Sequence, residues 1–117
     1  MSSESALLSQ IFHRVGSRPD CRIWRSQPLA ARDRNGRIVR ALPKGHPDIA
    51  GLIRLLPGVA APLYVEAKYA TGLRPEQRHW RDMLLKFGAC YVCAETVEAV
   101  EAEIARYCAR ALETLRG

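Results

Sequence analysis

A chain of 117 residues that is 48 % hydrophobic and 26 % charged has the composition of an ordinary soluble globular domain, long enough to bury a core without disulfides. The longest uncharged run, Leu55 to Val65, is interrupted by Pro57, Gly58 and Pro62 and is far shorter than the about 20 apolar residues of a membrane helix. Residues 1–12 lack the basic start and apolar stretch of a signal peptide, so no membrane partner and a cytoplasmic location are expected. The net charge of +6 is carried by residues 1–58, which hold ten Lys/Arg against four Asp/Glu, while residues 59–117 hold eight of each. Between 22 and 44 the excess is seven to one: Arg22, Arg25, Arg32, Arg34, Arg37, Arg40 and Lys44 against Asp33. Such a local excess points to a polyanionic partner such as nucleic acid; the plain alternative is a solvated, arginine-rich surface.

Residues 3–15 place Leu7, Leu8, Ile11 and Val15 at helical spacing, with Gly16 as the stop. Cys21 to Gln27 alternates weakly and suits a strand. Residues 28–46, rich in positive charge and holding Gly36 and Gly45, read as a loop or loose hairpin. Asp48 to Leu56 is an apolar run containing Arg54 and predicts a strand, and Pro57-Gly58 predicts a turn. Leu63 to Lys68 is the clearest strand, with Leu63, Val65 and Ala67 on one face and Tyr64, Glu66 and Lys68 on the other.

Pro75 opens a helix at its favoured first position, and Gln77, Trp80, Leu84 and Phe87 form one inward stripe that ends at Gly88. Ala89 to Ala94 is a short strand. Thr96 is a good N-cap for a last helix that buries Val97, Val100, Ile104, Cys108 and Leu112. The order predicts an α/β fold, a single domain over 1–117 with a small central mixed β-sheet flanked by helices. The strand-helix-strand unit from 63 to 94 should be parallel and right-handed.

The chemistry concentrates in Pro47-Asp48 followed, eighteen residues after the Asp, by Glu66-Ala67-Lys68. Glu66 and Lys68 project from one face of a strand, and Asp48 joins them if the two strands form a hairpin. Two converging carboxylates, with the Ala67 carbonyl as a further oxygen, make a hard-oxygen site suited to Mg²⁺ or Mn²⁺. A lysine beside such a site can orient a water or stabilise charge on a phosphate, and a bound metal can activate that water. Phosphodiester hydrolysis needs these parts and no organic cofactor.

Gly45-His46-Pro47-Asp48-Ile49-Ala50-Gly51, then Val65-Glu66-Ala67-Lys68, then Gly72-Leu73-Arg74-Pro75-Glu76-Gln77, then Gly88-Ala89 resemble, in this order and spacing, the VRR-NUC family of the PD-(D/E)XK nuclease superfamily. The resemblance spans roughly residues 4 to 100. It implies a restriction-endonuclease-like core and a metal-dependent, structure-specific DNA endonuclease leaving 5′-phosphate and 3′-hydroxyl ends. It also implies metal ligation by Asp48 and Glu66 and service to the nucleophile by Lys68. Gln77 is similar to the family's helix glutamine near the active site, and Glu4 to the acidic residue of the first helix that completes the metal shell in related nucleases. Stand-alone members imply a homodimer acting on branched DNA such as junctions or flaps. Arg74 stands where the family often has a capping Ser or Thr.

Other readings stay beside this one. A DNA-binding module that keeps the fold without turnover, or a nuclease subunit of a larger assembly, shares the basic surface. An RNA nuclease shares the motif. Cys90-x-x-Cys93 has the spacing of half a zinc site but the chain offers no second half, and residues three apart on a strand face opposite ways, so core packing of reduced thiols is expected. Gln77 should point inward and find a partner in the site. His46 reads as a loop histidine, His13 and His79 as surface residues, and Trp24 and Trp80 as core.

Overall fold

The computed structural model describes residues 3–26, 30–40, 43–68 and 72–117. Its elements run α1 (Ser3–Arg14), β1 (Cys21–Arg25), β2 (Ala30–Arg32), β3 (Ile38–Arg40), β4 (Ile49–Leu56), β5 (Val59–Ala67), α2 (Pro75–Lys86), β6 (Cys90–Ala94) and α3 (Val97–Arg116). Gln27, placed in the first strand by its sequence, lies outside the described residues. Four strands form one mixed sheet in the order β1-β4-β5-β6, antiparallel except for the β5–β6 pair, which is parallel as the strand-helix-strand pattern requires. Residues 30–40 form a separate antiparallel hairpin of β2 and β3. Its tip is held by the Asp33 carboxylate, which accepts from the backbone N–H groups of Asn35 and Arg37 at 2.9 Å each.

Pro57-Gly58 turns β4 directly into β5, Gly58 taking φ 79°. The second strand therefore starts at Val59, four residues before the stretch that the alternation marks out. Pro62 hides that start in the sequence, because proline is rare inside a sheet. Here it is tolerated because β6 begins pairing only at Leu63, so the missing N–H falls beyond the end of the neighbouring strand.

One sheet face is dry. Cys21, Ile49, Ile53, Leu63, Val65, Cys90 and Val92 meet Leu7, Ile11 and Val15 of the first helical segment and Val97, Val100 and Ile104 of α3 in one core. Leu63, Val65 and Ala67 are buried on this face, as the alternation predicts. Thr96 caps α3, its hydroxyl accepting from the Ala99 N–H at 3.1 Å. Gly51 lets β1 and β4 approach: a Cβ there would stand 2.1 Å from the Arg22 carbonyl oxygen and 2.9 Å from the Ile23 Cα. Backbone cannot step aside cheaply, so Gly51→Ala should cost about 3 kcal/mol, read as a lower urea midpoint at unchanged slope.

The opposite face is covered only in part, by α2. Leu84 is the buried residue of that helix, and Gln77 and Trp80 are half-buried. Phe87 corrects the expected stripe, being 81 % exposed. It is the C-cap, and the chain reverses at Gly88 (φ 85°), so its side chain leaves the stripe at the helix end. Trp24 is a second correction: it is 51 % exposed on the face opposite the core. The four cysteines are unpaired, Cys21 and Cys90 buried, Cys108 half-buried and Cys93 exposed. Burial pushes the Cys21 and Cys90 thiols up to about 12, so they act as core residues and not as nucleophiles. Cys93 faces away from Cys90 and out of the core. Among the described residues no helix is long and apolar enough to cross a membrane.

Candidate active site

The hairpin register decides where the carboxylates meet. Ile49 pairs with Val65 and Ala50 with Tyr64, so one step further Asp48 stands opposite Glu66. Cross-strand partners share a face, and this face is the one away from the core. Asp48 is fixed on both sides: its carbonyl accepts from the Ser26 N–H at 2.9 Å, and its Oδ2 accepts from the Ala67 N–H at 3.0 Å. The residue opposite Ala67 in register is Pro47, which has no N–H to offer the Ala67 carbonyl. The Pro-Asp pair thus has a physical role: Asp48 takes the Ala67 donor, while the Ala67 acceptor is not bonded by its cross-strand partner.

Glu66 is 2 % exposed, and its Oε2 has no hydrogen-bond partner. Burial is the main reason its carboxyl titrates well above the usual carboxylate range; the adjacent Asp48 carboxylate adds to the rise, and the Lys68 ammonium opposes it. Glu4 of α1 adds a weaker push in the same direction. Lys68 extends the parallel ladder, its N–H donating to the Ala94 carbonyl at 3.3 Å, and its side chain is half-buried. The register therefore brings Asp48, Glu66 and Ala67 together, with Lys68 close enough to act on the Glu66 charge. Glu4 is exposed and reaches the pair only through its field.

Gln77 takes another task. Its Oε1 accepts from the Arg74 N–H at 2.8 Å, capping its own helix. Arg74 cannot return the bond, since a guanidinium has no acceptor, so one half of a capping box is formed. The amide oxygen is thus bonded within its own helix, and among the described residues no bond joins Gln77 to Asp48, Glu66 or Lys68. Around it, α2 clamps the loop that carries Asp48. Trp80 Nε1 donates to the Lys44 carbonyl at 3.2 Å, and the His46 ring stands edge-on between Trp80 and Tyr64, with centroids 4.7 and 5.8 Å away. Gly45 (φ 89°) permits this docking: a Cβ there would lie 2.6 Å from the Glu76 carbonyl carbon. His46 is thus a packing element of the site, a role its loop context in the sequence does not show. Trp80 is half-buried by the same contacts.

The basic segment divides. Arg32, Arg34 and Arg37 are exposed on the hairpin, Arg32 donating to the Gly36 carbonyl at 2.9 Å. Arg22 and Arg25 are exposed on opposite faces of β1. Lys44 is ion-paired with Glu76 at 3.2 Å, so part of its charge is engaged in docking α2. The Arg40 side chain lies outside the described residues. Sequence reasoning missed Ser26, buried beside Asp48, and Cys93 corrects the expected core packing, being exposed and in register with Glu66. Ser26 ends a strand whose termination no side-chain pattern marks.

The donor set suits a small hard cation. Two carboxylates meet across the strands beside the Ala67 backbone, and the two buried side-chain polar atoms without partners among the described residues, Glu66 Oε2 and Tyr91 Oη, belong to this face. Among the described residues no three His, Cys, Asp or Glu side chains gather to hold a metal. Mg²⁺ tolerates this, because it is commonly held by one or two carboxylates and keeps several waters.

No protein-family model, curated protein or solved structure matches the chain. The geometry of the site therefore carries the functional argument.

Proposed function

We propose that the chain is a metal-dependent DNA endonuclease with a PD-(D/E)XK-type core related to the VRR-NUC family, acting on branched DNA. The observation that carries this reading is the Glu66 carboxylate, buried against Asp48 with one oxygen unpartnered. A fold gains nothing from placing two like charges together in a dry site; a cation that neutralises them accounts for the arrangement.

Asp48, Glu66 and the Ala67 carbonyl would hold Mg²⁺ or Mn²⁺, which when bound supplies Lewis-acid activation of a water and neutralises phosphate charge. The Ala67 N–H fixes the orientation of the Asp48 carboxylate, so the site is organised before substrate arrives. Lys68, whose ammonium is close enough to act on the Glu66 charge, would orient the attacking water and stabilise the developing charge on phosphorus oxygens. The exposed arginines of the β2–β3 hairpin and of β1 would hold backbone phosphates without reading sequence. In this reading Gln77 holds the α2 start and so acts through helix position. A homodimer, in which each protomer takes one arm of a branch, completes the proposal.

Cleavage of four-way junction, flap, single-stranded and linear duplex DNA with Mg²⁺ or Mn²⁺ tests it. Metal-dependent cutting, strongest on a branched substrate and abolished by EDTA, is the expected result. Binding to every DNA with no cutting in either metal would leave a DNA-binding module in its place.

A further inference from the structure

The sheet face that bears Asp48 and Glu66 also bears Trp24. Register pairs Trp24 with Ala50 and Ala50 with Tyr64, and Asp48 and Glu66 lie two residues further along the same strands. From strand rise and spacing, the Trp24 Cα is about 8 Å from that of Asp48 and about 12 Å from that of Glu66. The α2 helix covers the β6 side of this face and leaves Trp24 51 % exposed. Beyond it, Arg22, Leu52 and Arg54 line one shallow groove of about 350 Å³, and Leu52 is 48 % exposed. A track of cation, aromatic ring and acid pair therefore crosses the open face.

We infer that Trp24 is a stacking platform for an unpaired DNA base close to the phosphate that is cut; this rests on the nuclease reading. A single exposed aromatic residue is ordinary, but this one is bracketed by guanidinium groups on one side and by the candidate metal site on the other. Aromatic faces interleaved with cations are how proteins hold single strands, since every base offers a π-face and every nucleotide a phosphate. A base inside a duplex has both faces covered by its neighbours and offers none to an indole. Only a nucleotide at a branch, flap or open end can lie on Trp24. A stacked strand advances about 3.4 Å per nucleotide, so the base on Trp24 lies a few nucleotides from the phosphate at Glu66. The residue would thereby convert an unpaired base into a positional signal for the cut.

Binding measured by fluorescence anisotropy in EDTA, where nothing is cut, tests this. The probes are a short labelled single strand and the blunt duplex of the same sequence. Trp24→Ala should weaken the single strand about tenfold or more and change duplex affinity little, while Trp24→Phe keeps most of the single-strand affinity. Trp24 and Trp80 are the two tryptophans of the chain, so a Trp80→Phe protein reports Trp24 alone; its emission should be quenched by the single strand and not by the duplex. Equal losses on both probes, or no loss, would overturn the inference. The two readings fail separately. Trp24-dependent single-strand binding by a protein that cuts nothing keeps the platform and removes the nuclease; cutting with single-strand binding indifferent to Trp24→Ala does the reverse.

Discussion

Lys68→Ala is expected to lower the cleavage rate by about 100- to 1,000-fold while DNA binding in EDTA stays close to that of the wild type. The ammonium follows the buried Glu66 by two residues and is felt by that carboxyl, yet its backbone N–H, not its side chain, is what secures the strand to Ala94. Removing the side chain thus leaves the ladder intact and takes away the charge that the proposed mechanism sets beside the scissile phosphate. Asp48→Asn is the matching test on the other strand. Asparagine can still accept the Ala67 N–H that Asp48 Oδ2 accepts at 3.0 Å, so the hairpin keeps its geometry and loses one negative ligand. A fall of similar size with no loss of thermal stability separates the chemical role of Asp48 from its structural one. Cleavage within about tenfold of wild type in both variants would place the chemistry elsewhere, because single oxyanion-type contacts are worth more than that.

The meeting of Asp48 and Glu66 was legible in the sequence for a simple reason. Their separation of eighteen residues is centred on Pro57, and Pro57-Gly58 is a turn signal, so a hairpin folded there sets Asp48 opposite Glu66. The parallel β5–β6 unit and the Thr96 cap were legible for equally local reasons. Trp24 was not. In Cys21-Arg22-Ile23-Trp24-Arg25 the core side is read from Cys21 and Ile23, but whether anything covers the other side depends on where α2 lands, which is a tertiary fact. Phe87 failed similarly: its helical angle is right, but whether anything covers the last turn of α2 is again a tertiary fact. Gln77 points inward as its stripe suggests, and its partner is the Arg74 backbone at 2.8 Å; the periodicity reports direction and not the identity of the acceptor or donor met there. The hairpin of residues 30–40 was foreshadowed only as a loop or loose hairpin by Gly36 and Gly45, because its strands are three residues each, too short for alternation to speak.

Glu66→Gln should stabilise the metal-free protein at neutral and alkaline pH, by about 2 kcal/mol, the usual cost of a buried polar group left without its partner. In an unfolded chain Glu66 titrates as an ordinary carboxylate; in the fold, burial and Asp48 hold it well above that. A raised folded-state value means that the folded chain binds the proton more tightly. Its contribution to stability is whole below the unfolded value, declines as pH rises between the two values, and is lost once pH passes the folded one. The wild-type melting temperature in EDTA should therefore fall from mildly acidic toward alkaline pH, and the Glu66→Gln protein should lie roughly 5–10 °C above it at the alkaline end. Adding millimolar Mg²⁺ or Mn²⁺ should reverse the order of the two. A cation that binds the folded state alone raises stability by mass action, and it can do so only where the carboxylate is present to receive it. On the proposed reading the same carboxyl would destabilise the empty fold and stabilise the loaded one. If the two proteins melted alike across the pH range, with and without metal, Glu66 would be a satisfied core residue and the site would lose its central ligand.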